Sequence, residues 1–156
     1  MFETALKKIT SVVKAHKKLS QKAKVIDMYS GVGTIGICVG ADTLVESDSS
    51  NVAMAKVNVE GTETEVVHAT SEYAVEHIAP NSVLIVDPPR AGLHSSVIDR
   101  ILEAKPSKII YLSCNPSTQA RDIRYLSGAY SVKFAQGYNF FPRTPHIESL
   151  IILELK

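Results

Sequence analysis

Phe2, Ala5, Leu6, Ile9, Val12 and Val13 recur at steps of three and four residues, and lysines fill the positions between them. That period is helical and predicts an amphipathic helix over 2–18. Beyond it the pattern changes to short apolar runs at 24–29, 43–46, 64–68, 83–86, 108–113, 130–135 and 149–155, each with the length and composition of a strand. Between these runs, 49–59, 71–79, 95–104 and 117–126 have helical spacing, and several open on Ser or Asp caps. Strands alternating with helices predict an α/β fold whose sheet is mostly parallel and covered on both faces. The last two strands are joined only by 136–148, which offers no crossover helix, so that pair is expected to run antiparallel.

Composition narrows the picture. At 156 residues, 45% hydrophobic and 21% charged, the chain suits one folded domain and excludes a disordered or low-complexity protein. Its net charge of +1 announces no bulk attraction to nucleic acid. Lys7, Lys8, Lys14, Lys17, Lys18, Lys22 and Lys24 read as a solvated face rather than as an RNA patch. The two cysteines, Cys38 and Cys114, make neither a disulfide framework nor a four-cysteine metal site, which points to a reducing compartment and no metal. No apolar run reaches the roughly 18 residues of a membrane span and no secretory leader is visible, so a cytoplasmic protein without a membrane partner is expected.

Chemistry concentrates at the ends of three predicted strands. The stretch from Val25 to Gly36, VIDMYSGVGTIG, is a strand running into a glycine-rich turn and a helix start, where a ligand can approach the backbone of Gly31 closely. Glu46 stands at the end of the second strand, where a carboxylate holds the ribose hydroxyls of an adenosine. The glycines alone separate neither NAD from S-adenosylmethionine nor a ligand loop from a mere tight turn. IVDPPRAGL sets Asp87 after a buried strand and stiffens the chain with Pro88 and Pro89; Arg90 reads equally well as a surface cation.

YLSCNP ends the next strand on Cys114, just ahead of Asn115 as N-cap and Pro116 as first helical residue. A helix amino terminus favours negative charge, so Cys114 is a candidate nucleophile, although a free cysteine is also commonly a small buried hydrophobe. That second reading is the one expected of Cys38. FPRTPHIE precedes the last strand; if that strand lies antiparallel beside the Cys114 strand, Glu148 meets Cys114 at the carboxyl edge of the sheet.

DMYSGVGTIG, IVDPPRAGL, YLSCNPSTQARDI and FPRTPHIE, in this order, resemble the RNA uracil-5-methyltransferase family of tRNA and 23S rRNA enzymes, over almost the whole chain. The resemblance implies a class I S-adenosylmethionine-dependent methyltransferase fold, Rossmann-like, with seven strands of which the last is antiparallel. It implies Cys114 as nucleophile, Glu148 as general base, and Tyr29, Gly31, Glu46 and Asp87 as contacts to S-adenosylmethionine. It implies an RNA substrate, tRNA or rRNA, with no DNA partner. Family members carry an RNA-binding β-barrel ahead of this domain, so 1–156 is expected to be the catalytic domain alone, needing those segments or a partner for full activity. The link from Gly36 to Glu46 is shorter than is usual in the family, and Asn139 stands where an aspartate is common. Two rivals stay open: a non-catalytic S-adenosylmethionine or RNA-binding module acting with a partner, and a nicotinamide oxidoreductase sharing the glycine loop and Glu46.

Overall fold

All four residues of β1 (Val25–Met28) are buried, and they serve two different cores because successive side chains of a strand point to opposite faces. Val25 packs in one cluster with Val83, Ile85, Ile110 and Leu112. Ile26 and Met28 pack in the other with Leu84, Val86, Ile109 and Tyr111. Such double burial explains why these runs are continuously apolar instead of alternating. The computed structural model describes residues 1–140, 142–144 and 146–156; Phe141 and Pro145 of the FPRTPHIE stretch lie outside the described residues.

The remaining strands are β2 (Thr43–Glu46), β3 (Glu65–His68), β4 (Val83–Val86), β5 (Lys108–Ser113), β6 (Tyr130–Tyr138) and β7 (Glu148–Leu155). They form one sheet in the order β3-β2-β1-β4-β5-β7-β6. The first five strands run parallel, while β7 is antiparallel to both β5 and β6, as the missing crossover helix predicted. The helices α1 (Phe2–Leu19), α2 (Thr34–Val39) and α3 (Ser49–Asn58) cover one face through Ala5, Ile9, Val13, Ile35, Val39 and Ala55. On the other face lie α4 (Ser95–Ala104) and α5 (Pro116–Leu126), anchored by Val97, Ile98, Ile101 and Leu126. The fold is the seven-stranded, Rossmann-like α/β architecture expected.

Three expectations need correction. The segment 71–79 is no α-helix: within it only Val75–His77 is helical, as a 3-10 helix. Its buried anchors, Ala74 and Ile78, are four residues apart, so one tight turn seats both, and Pro80 disfavours helical backbone at Ala79. Strand β6 continues to Tyr138 instead of stopping at Ala135, because it pairs with β7 as far as Tyr138 opposite Glu148. Cys38 is exposed, not buried, since α2 turns it away from the sheet while Ile35 and Val39 face inward. The lysines, in contrast, behave as solvated or structural groups. Lys7 pairs with Glu3, Lys24 with Asp42, Lys17 donates to the Gly40 carbonyl, and Lys8 lies 4.4 Å over the Phe134 ring. Among the described residues no helix is long and apolar enough to cross a membrane.

Candidate active site

The strand order reverses between β1 and β4, and a crevice opens there beyond the carboxyl ends of the parallel strands. Two adjoining clefts of about 410 and 260 Å³ share Tyr29 and Asp87. The larger reaches Glu46 and Ser71; the smaller reaches Asp27, Gly31 and Phe2 at the start of α1.

The glycine turn is built for close approach. Tyr29 follows β1 in left-handed backbone, φ 64°, and its hydroxyl accepts a 2.7 Å bond from Ser71. At Gly36 a Cβ would collide with the Leu44 side chain and the Asp27 carboxyl, so only glycine lets α2 lie this close to β1 and β2. Glu46 ties the turn to β2: its Oε2 accepts from Gly31 N–H at 2.7 Å, and its Oε1 accepts from Ser47 and Asp48 N–H, both at 2.8 Å. The carboxylate so held lines the larger cleft.

Two carboxyls face the crevice from inside. Asp27 is 1% exposed, and its Oδ2 has no hydrogen-bond partner. Burial pushes its pKa up to about 8, opposed by the Gly36 N–H and reinforced by the charges of Asp87 and Glu46. Asp87, just beyond β4, is pushed up to about 7, first by burial and then by the charge of Glu148. Sequence reasoning missed Asp27 as a site residue, although one carboxylate inside the apolar run VIDM was a readable signal.

The third part of the site lies at the β5–β7 junction. The antiparallel register ends on Ser113 opposite Ser149, so Cys114 is one residue past the end of β5 and Glu148 is the adjoining first residue of β7. Cys114 is partly exposed. Asn115 caps α5 by accepting from Ser117 N–H at 3.2 Å, and Pro116 follows at the first helical position, as expected. Glu148 is 9% exposed, and burial raises its pKa against the opposing charge of His146. Its influence on Asp87 links the thiol junction to the crevice.

The glycine loop, Glu46, Asp87, Cys114 and Glu148 therefore lie along one edge of the sheet. The 87–93 segment is held there by α5, through Asn115 Nδ2 and Thr118 Oγ1 donating to the Arg90 carbonyl at 2.9 and 3.1 Å. Arg90 itself is exposed, as its reading as a surface cation allowed. Among the described residues no cluster of His, Cys, Asp and Glu has the makings of a metal site.

The chain has relatives among known proteins. An uncharacterized RNA methyltransferase of Bacteroides thetaiotaomicron is 41% identical over 151 residues, covering 88% of this chain and 33% of that protein. The tRNA (uracil(54)-C(5))-methyltransferase of Pyrococcus abyssi is 34% identical, covering 94% of this chain and 37% of that protein. The crystal structure of the P. abyssi tRNA (uracil-54, C5)-methyltransferase, in complex with S-adenosyl-L-homocysteine, superposes with a TM-score of 0.74 at 35% identity over 94% of this chain and 38% of that one. The chain thus spans about a third of the length of the curated relatives it matches. A nicotinamide oxidoreductase finds no support among these relatives. The profile described as tRNA (Uracil-5-)-methyltransferase matches residues 71–156, more than half of the chain and the part that carries Asp87, Cys114 and Glu148, and the chain belongs to that family.

Proposed function

We propose that this domain transfers a methyl group from S-adenosylmethionine to C5 of a uridine in RNA, with Cys114 as nucleophile and Glu148 as base. The observation that carries the reading is the adjacency of these two residues at the end of the β5–β7 register, beside Asp87 and the crevice. Family membership and the names of the relatives support RNA, tRNA or rRNA, as the substrate class.

The crevice fits the cofactor by charge and by hydrogen bonding. Asp87, once ionised, suits a cation, the unpartnered Oδ2 of Asp27 is open to a hydrogen-bond partner, and Glu46 suits ribose hydroxyls. When bound, S-adenosylmethionine supplies an electrophilic methyl group.

The protein's part is to make C5 nucleophilic and then to discard its proton. The Cys114 thiolate forms a bond to C6, and the C5–C6 double-bond electrons shift onto C5 and the adjoining carbonyl. After methyl transfer C5 still holds its hydrogen. Glu148, as carboxylate, takes that proton; the C–H electron pair re-forms the C5–C6 double bond while the C6–S bond breaks and the thiolate leaves. The base must be ionised, so the burial that raises the Glu148 pKa brings the falling edge of activity closer to neutrality on the acid side. A stacked uridine has to leave its stack to meet both groups. A nucleophile and a base on adjoining strand ends support an enzyme over a module that only binds, which has no use for either.

The test is adduct formation. The wild-type chain is expected to form a covalent complex with 5-fluorouridine RNA on a denaturing gel, and Cys114→Ala to form none while still binding S-adenosylhomocysteine. Glu148→Gln should hold a methylated covalent complex with ordinary RNA. An adduct in Cys114→Ala, or unchanged turnover in Glu148→Gln, overturns the assignment.

A further inference from the structure

Gln119 lies in the first half of α5, four residues after the N-cap Asn115, and is 1% exposed. Its side-chain amide bridges two strands: Nε2 donates to the Tyr111 carbonyl of β5 at 2.9 Å and to the Ser149 carbonyl of β7 at 3.1 Å. Both bonds lie where the two strands part, since the register Tyr111 to Ile151, Leu112 to Leu150 and Ser113 to Ser149 ends there. The next residues are Cys114 on one strand and Glu148 on the other. Beyond the last backbone pair, no strand–strand hydrogen bond fixes how far the two ends diverge. A buried amide that spends both N–H groups on opposite strands supplies that constraint, and it does so from the same helix whose amino terminus abuts the thiol.

We infer that Gln119 is a positioning residue: its amide pins the ends of β5 and β7 together and so fixes the spacing between Cys114 and Glu148. The inference rests on the reading of Cys114 and Glu148 given above. Gln119 is buried and lines neither cleft of the crevice. Its effect belongs to the mutual influence of nucleophile and base, not to occupancy of the crevice.

The test reads that influence directly. In a Cys38→Ser background, which removes the exposed second thiol, iodoacetamide alkylation of Cys114 is followed by mass spectrometry from acid to alkaline pH. Four proteins are compared: the parent, Glu148→Gln, Gln119→Met and the double variant. Methionine keeps the length of glutamine and removes the donor.

Glu148→Gln removes a negative charge beside the thiolate and should speed alkylation several-fold in the parent. With Gln119→Met the same change should alter the rate by less than about twofold, because the two ends have spread. S-adenosylhomocysteine affinity, measured by calorimetry, should be unchanged in Gln119→Met. Equal Glu148→Gln effects in both backgrounds overturn the inference, as does a loss of cofactor affinity in Gln119→Met, which marks a general structural role. No effect of Glu148→Gln in the parent overturns the underlying pairing of Cys114 and Glu148 instead, and the inference falls with it.

Gln119→Glu gives a second reading should the methionine variant fail to fold. Protonated, it keeps one donor; ionised, it repels both carbonyls. One donor cannot bridge both carbonyls, so its coupling should fall below the parent's at every pH at which the parent shows any and vanish once the carboxyl ionises; parent-like coupling throughout refutes the role.

Discussion

Asp27 and Asp87 show how a single environment turns an ordinary carboxyl into a pH-sensitive group. Asp27 is shifted from 3.8 to about 8 chiefly by burial, so it is mostly protonated near neutrality. Its folded pKa lies above its unfolded one, so the stability it contributes is full below about pH 4 and is lost as pH rises through about 8. Asp27→Asn keeps the shape of the protonated form and is expected to flatten the fall in melting temperature between about pH 5 and 9, read as the difference from wild type. An unchanged slope refutes it. Asp87, at about 7, must lose its proton to attract a cation. On the proposed reading, S-adenosylmethionine affinity rises by about tenfold in all from about pH 6 to 8 and levels off above that, and Asp87→Asn abolishes that rise. Calorimetry across this range checks both parts; a flat wild-type profile contradicts the placement of the cofactor's charge beside Asp87.

At the scale of elements, α5 is the brace of the site. Its buried Asp122 accepts from Leu93 N–H at 2.8 Å and from the Tyr111 hydroxyl at 2.7 Å, and it pairs with Arg121 at 2.7 Å. Arg121 in turn donates to the Ala91 carbonyl at 2.9 Å. One carboxylate thereby joins α5, β5 and the loop that carries Asp87. Gly92 is part of the same fit: its φ is +83°, and a Cβ would press on both Asp122 and Arg121. Asp122→Ala leaves a buried N–H and a buried hydroxyl without their acceptor, and should cost on the order of 2–4 kcal/mol in urea unfolding. A loss below about 0.5 kcal/mol, the level of an ordinary surface change, excludes the brace.

Over the whole molecule, α1 is part of the core and no appendage to it. Ile9 is 1% exposed and packs in the same cluster as Val25, Val83, Ile110 and Leu150. Ile9→Ala should cost about 2–4 kcal/mol, as other large-to-small core changes do, with one cooperative transition; an early separate transition would instead make α1 an independent unit. The helix also brings Phe2 to the smaller cleft, and its ring meets Phe140 edge-on at 5.5 Å.

Periodicity along the chain determined the element types, because burial leaves a local trace: Ile9 and Val13 keep a helical step, and VLIV reads as a strand covered on both sides. It also determined the antiparallel ending, since 136–148 has no material for a crossover. It failed at 71–79, where the choice between an α-helix and a single turn depends on what Ala74 and Ile78 meet across space. It failed again at Cys38, whose exposure follows from the angle at which α2 sits on the sheet. Only the tertiary structure decided that β7 inserts between β5 and β6, which sets Glu148 next to Cys114. The same holds for the unpartnered Oδ2 of Asp27 and for Gln119 spanning two strands. These are relations between residues far apart in sequence, fixed by hydrogen bonds and desolvation that exist only once the sheet has closed around them.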